Sequence, residues 1–162
     1  MLKKCLLKKE MIITLTLIFS LFIMGNLAQA QTQRGNYRIG IQSSNLFRGT
    51  VGASVIYDMD VDTSIQGIFS LGSRSQIIEG RVLYRFHQKM NWNAYGFGSA
   101  GIYNTSDSNG FIGGAGVGIE YDIKALDRDF PPVSVNADVG LIFLEDLSSF
   151  NNKIRIGFHY RF

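Results

Sequence analysis

Residues 153–162 read KIRIGFHYRF. Ile154, Ile156, Phe158, Tyr160 and Phe162 alternate with Arg155, Gly157, His159 and Arg161, the period of a strand whose two faces meet different surroundings. The same period recurs in seven runs upstream. Asn36–Gln42 puts Tyr37, Ile39 and Ile41 on one face, and Thr50–Met59 does so with Val51, Ala53, Val55, Tyr57 and Met59. Thr63–Gly72 aligns Ile65, Phe69 and Leu71, and Gln76–Phe86 aligns Ile78, Val82, Tyr84 and Phe86. Phe111–Ile123 carries Phe111, Ala115, Val117, Ile119, Tyr121 and Ile123, and Val133–Phe143 carries Val133, Val135, Ala137, Val139, Leu141 and Phe143. Trp92–Tyr103 alternates least cleanly. It places Tyr95, Phe97 and Tyr103 on the apolar face, or, after a one-residue slip, Trp92, Ala94 and Ile102. Stretches rich in Asp, Asn, Ser, Gly and Pro separate the runs. Eight alternating strands in series predict an all-β, antiparallel up-and-down barrel.

Alternation alone does not say which face is inside. The second face holds Arg38, Asp58, Glu79, Arg81, Arg85, Glu120, Asp122, Asp138, Lys153, Arg155, His159 and Arg161, together with Gly114, Gly116 and Gly118. A row of glycines on a solvent-facing strand weakens it for no return. In the narrow interior of an eight-stranded barrel, the same glycines make room for long Arg and Glu side chains. Five acids and six bases on that face, His159 aside, suit buried charges that pair with one another. The apolar face then points outward, as in a transmembrane barrel. With the first run rising from the periplasm, the descending runs end in Tyr57, Tyr84 with Phe86, Tyr121, and Tyr160 with Phe162. These rings form the expected aromatic girdle at the periplasmic interface. A soluble, lipocalin-like barrel with the apolar face lining a ligand cavity is the alternative.

Residues 1–30 read as a cleaved secretory leader and 31–162 as the barrel domain. Lys3, Lys4, Lys8 and Lys9 precede an uncharged apolar run of fourteen, Met11–Met24, followed by Ala28-Gln29-Ala30. That run spans about 21 Å as a helix, short of the roughly 30 Å hydrocarbon core. The pI near 9.1 belongs to this segment. Of 16 Lys and Arg and 13 Asp and Glu, it holds four lysines and Glu10, leaving twelve of each. A neutral domain gives no electrostatic ground for a nucleic-acid partner. Cys5, the one cysteine, lies within the leader, so the domain offers neither a disulfide nor a thiolate metal site.

The alternating strand that ends in Tyr160 and Phe162, with Gly157 and Phe158 before them, resembles the C-terminal signal by which outer-membrane barrels engage their assembly machinery. With the leader and the strand count, the chain resembles small eight-stranded outer-membrane proteins of Gram-negative bacteria, of the OmpA and OmpX/Ail type. The resemblance implies an outer-membrane location, lipid around the barrel, and contact with the assembly machinery through Gly157, Phe158, Tyr160 and Phe162. The loops expected here are short, the longest being about eight residues, Leu144–Asn151 and Asn104–Gly110. Adhesion through extended loops is therefore not expected. Neither is a cell-wall tether, since no periplasmic domain is expected after the barrel.

Catalytic and metal patterns are weak. His87 falls in an expected turn and His159 on the inner face, neither with a serine two residues away. Asp58, Asp60 and Asp62 begin like a calcium loop, but Thr63 stands where its turn needs Gly and Phe69 where it needs Glu. The glycines of 113–118 lie inside a strand with no helix after them, outside any nucleotide-binding context. No enzyme, cofactor or metal is expected. The concentrated chemistry is the inner-face group Glu79, Arg81, Arg85, Glu120, Asp138, Arg155 and Arg161, read as a salt-bridge network that fills the lumen. The alternative is the charged gate of a small, low-conductance channel.

Overall fold

The computed structural model describes residues 37–125, 129–145 and 149–162. The expected leader lies outside the described residues. Eight antiparallel strands close into one barrel in sequence order: β1 (Tyr37–Ser44), β2 (Thr50–Asp58), β3 (Thr63–Gly72), β4 (Ser75–Gln88), β5 (Trp92–Thr105), β6 (Asn109–Asp122), β7 (Val133–Leu144) and β8 (Ser149–Arg161). The seam is the pairing of β1 with β8, from Arg38 opposite Arg161 to Ser44 opposite Arg155. It pairs both edges that an open sheet would expose.

The strand starting at Ser149 is longer than the expected run from Lys153, because Ser149–Asn152 pair with Leu144–Leu141 of β7. Neighbour pairing extends a strand through polar residues that read as turn in isolation. The wall is uneven. β4, β5 and β6 each have 14 residues, against 8 in β1 and 9 in β2. Below, the proximal end is where β1 begins and β8 finishes, and the distal end is the opposite one.

The two faces sort as alternation requires, apolar outward and charged inward. Ile41, Val51 and Phe111 are 63%, 62% and 67% exposed, whereas Arg38, Arg81 and Arg155 are 1% exposed. The exception to the first register is β5. Tyr95, Phe97 and Tyr103 point inward and are buried, and Ile102 points outward, so the slipped register is the one adopted. The cause lies on the neighbouring strands. A Cβ on Gly116 would meet Phe97 Cζ at 2.7 Å, one on Gly118 would meet Tyr95 Cζ at 2.5 Å, and one on Gly140 would meet Phe97 Cζ at 2.9 Å. Gly116, Gly118 and Gly140 thus seat two aromatic rings, not the long charged side chains the sequence suggested for the inner glycines, and Gly114 faces Ile142 and the β7 backbone. A one-residue bulge in β4 between Arg85 and His87 keeps Arg85 opposite Tyr95.

The interior is not wholly polar. Ile77, Tyr103, Ile112, Ile142 and Leu144 form an apolar cluster with Leu46 of the β1–β2 corner. Their positions near the ends of β4–β7 put this cluster at the distal end.

Candidate functional site

Six of the seven expected interior residues are brought together. Glu79, Arg81 and Arg85 of β4, Glu120 of β6, Asp138 of β7 and Arg155 of β8 are buried. Ion pairs among the described residues hold them in three sets. Glu79 Oε2 accepts from Lys153 Nζ at 2.6 Å and from Arg155 Nη2 at 2.7 Å, between strands on opposite sides. Arg81 Nη1 donates to Asp138 Oδ2 at 3.1 Å and to Gln66 Oε1 at 3.0 Å. Gln66 Nε2 reaches Gln42 Oε1 at 3.3 Å, and Tyr95 donates its hydroxyl proton to Asp138 Oδ2 at 3.2 Å. The Arg81 guanidinium also lies over the Phe97 ring, 3.7 Å from its centroid. At the proximal end Arg38 pairs with Glu120 and with Asp58, the latter at 2.8 Å. Asp58 Oδ1 also accepts from Arg85 Nη2 at 2.7 Å.

Arg161 does not join this group. It is half-buried at the proximal mouth, where it lines a cavity of about 190 Å³ with Asp122, Lys124, Pro132, Val133 and Ser134. It takes part in none of the ion pairs among the described residues. The last inward position of β8 opens onto the rim, so its side chain has no opposite wall to meet. Conversely, the sequence reading left Arg38, Asp58 and Lys153 out of the cluster. Their parity put them on the inner face, but only closure of the barrel places them beside Glu120, Arg85 and Glu79.

Burial makes these pairs consequential. A buried charge that loses its partner costs several kcal/mol, whereas a complete pair is worth little against an apolar substitute. Some capacity is left over: Arg81 Nη2, Arg155 Nη1, Glu79 Oε1 and Asp138 Oδ1 are buried and make no hydrogen bond among the described residues.

His159 of β8 lies 2.6 Å through its Nε2 from Ser54 Oγ of β2. The pair sits inside the barrel wall, and His159 Nδ1 has no hydrogen-bond partner among the described residues. His87 is not in a turn but is the penultimate residue of β4, its ring 4.9 Å from Trp92. The acidic stretch around Asp60 is a hairpin, in which Asp60 Oδ1 accepts from the Asp62 and Thr63 amides at 2.8 and 2.6 Å.

Gly157 faces inward, where a Cβ would meet Asn136 Oδ1 at 2.5 Å, while Phe158, Tyr160 and Phe162 are exposed on the outside. Tyr160 and Phe162 contact edge to face at 5.0 Å. Tyr57, Tyr84, Phe86 and Tyr121 lie at the same proximal end. Tyr37, 4.8 Å from Tyr57, and Trp92 extend that ring of aromatics.

No protein-family model matches the chain, and no curated protein matches it. Solved structures do. The N-terminal β-barrel domain of Pseudomonas aeruginosa OprF superposes with a TM-score of 0.54 at 19% identity, over 80% of this chain and 100% of that domain. A de novo designed transmembrane β-barrel matches with a TM-score of 0.57 at 16% identity, over 80% of this chain and 98% of the design. The Yersinia pestis outer-membrane protein Ail in a phospholipid bilayer nanodisc gives 0.51 at 14% identity, over 79% of this chain and 99% of Ail. At such identities the likeness is one of fold: this chain has the closed eight-stranded fold of small transmembrane barrels.

Proposed function

We propose that the protein is an integral barrel of the bacterial outer membrane, with a structural or surface-contact role and a lumen filled by its own side chains. The observation that carries this reading is the inverted distribution of polarity, with exposed Ile, Val, Leu and Phe around the outside and nearly buried charges inside. In water such a surface would be one large apolar patch. In a bilayer it is the surface lipid requires, and a closed barrel satisfies the backbone there. A soluble ligand-binding barrel needs the opposite arrangement. The periplasmic end is the proximal one, where the aromatics gather, and the outward Phe158, Tyr160 and Phe162 are available to the assembly machinery. The buried polar atoms without protein partners favour one second reading, a narrow conductor of low conductance.

The test is to express the full chain in a Gram-negative host, isolate the outer-membrane fraction and run it on a denaturing gel with and without boiling. A band in that fraction that shifts on boiling is expected. A soluble protein with no shift refutes the assignment.

A further inference from the structure

The connection between β1 and β2 is longer and more elaborate than a tight hairpin needs. Ser44 already pairs with Thr50, yet the chain does not turn there, and Leu46 and Phe47 pack onto the distal cluster. Leu46 is only 6% exposed and packs against Ile77, Tyr103, Ile112, Ile142 and Leu144, side chains from β4, β5, β6 and β7. It therefore reaches from the low side of the wall across the mouth to the high side. Phe47 follows, its ring 5.3 Å from that of Tyr103. Its backbone is left-handed, with φ 48° and ψ 45°, a strained conformation for a residue with a side chain. Gly49, at φ 102°, returns the chain to β2. Directional bonds hold the corner. The Asn45 amide donates to the Ile154 carbonyl at 3.2 Å, and the Ile154 amide donates to Asn45 Oδ1 at 2.9 Å. The Leu46 amide donates to Ser44 Oγ at 3.1 Å, and the Gly49 amide to the Leu46 carbonyl at 3.0 Å.

We propose that Asn45–Gly49 is a lid: Leu46 is an apolar stopper that seals the distal mouth over the charged interior, and Asn45 is its latch on β8. Three features suit a part that moves as a unit. The latch sits on β8 just beyond the last pair of the seam, so it can release without breaking the β1–β8 ladder. Asn45 itself is exposed. The left-handed Phe47 stores strain that only the closed contacts hold in place. With the lid closed, water from the distal side meets Leu46 and its cluster; with the lid lifted, it meets Glu79, Lys153 and Arg155. This inference rests on the membrane-barrel reading above and adds to it a defined closed and open state of one end.

The experiment uses the full chain with Cys5→Ser, so that Ser70→Cys supplies the one thiol. Ser70 is 5% exposed on β3, opposite Ile77. Purified, folded protein in detergent is treated with a membrane-impermeant maleimide. Slow labelling is expected with the native corner, and roughly tenfold or more faster labelling with Leu46→Ser or Asn45→Ala, each being a shift of the closed–open balance. Rapid labelling with the native corner overturns the lid, and so does an unchanged rate in folded Leu46→Ser. Should Leu46→Ser lose its heat shift, Asn45→Ala decides, since its side chain lies outside the interior; a loss of the shift in both overturns the lid in favour of a folding element. Failure of the parent protein to shift on boiling in the membrane fraction refutes the membrane reading instead.

Discussion

Alanine at Gly116 and alanine at Gly98 are expected to move stability in opposite directions. The two glycines sit on adjacent strands and on opposite faces, Phe97 being opposite Gly116 and Gly98 opposite Ala115. At Gly116 a Cβ would meet the Val139 carbonyl oxygen at 2.3 Å, Gly140 Cα at 2.6 Å and Phe97 Cζ at 2.7 Å. The first two are backbone atoms of β7 and cannot swing aside, so the β6–β7 ladder itself must give. Overpacking of this kind costs about 3 kcal/mol, the upper end of the usual range. At Gly98 nothing lies within 4 Å of the added carbon. Relief of glycine's excess unfolded-state freedom then stabilises by roughly 0.5–1 kcal/mol. The assay is folding into lipid vesicles across a urea series, read by the heat-shifted band and by emission from Trp92, the single tryptophan. With a slope near 2 kcal/mol per molar urea, the midpoints of the two variants should lie about 2 M apart. Equal midpoints, or Gly98→Ala the less stable, would show that the faces of β5 and β6 have been assigned the wrong way round.

Glu79→Gln removes the one acid shared by Lys153 and Arg155 and should cost about 3–5 kcal/mol in the same titration; adding Lys153→Met should recover part of it, and a loss below about 1 kcal/mol would mean that water already screens the pair. Ile156→Arg puts a charge on the outer face in mid-strand, where Ile156 is half exposed, and should cost about 2–4 kcal/mol in a bilayer; insertion unimpaired by this change argues against a lipid-facing surface. Asp60, in the β2–β3 turn, has its carboxyl held below the usual carboxylate range by hydrogen bonds from the Thr63 and Asp62 amides. A depressed folded-state pKa contributes stability above the unfolded value of about 4, and that contribution fades as pH falls through the folded one. Asp60→Asn should therefore flatten the acid limb of a stability–pH curve below about pH 4 while leaving its neutral plateau parallel, and an unchanged limb would contradict the two hydrogen bonds to its carboxylate.

The alternating period was enough to place all eight strands and the correct outward face of seven, because inside–outside alternation is a local property of each strand. The fifth was ambiguous for a physical reason. Tyr95, Phe97 and Tyr103 suit either a lipid-facing surface or a packed interior, and their own run contains no charge to break the tie. What decided it lies on other strands, in Gly116, Gly118 and Gly140 beneath two of those rings. The acidic hairpin at Asp60 was legible as a turn, since its hydrogen bonds join residues two and three apart.

The sequence by itself thus determined the eight-stranded barrel and the inner face of seven of its strands, through side-chain alternation and the composition of each face. Only the tertiary structure decided who meets whom inside. Arg38 and Glu120 are 82 residues apart in the chain, and Glu79 and Lys153 are 74 apart. Such contacts depend on the register of every intervening strand pair and on closure of the β1–β8 seam. The same holds for Leu46, whose place in a short corner carries no sign of the four strands it reaches. Local patterning selects a face, whereas the partner across a lumen is set by the stagger of the whole closed sheet.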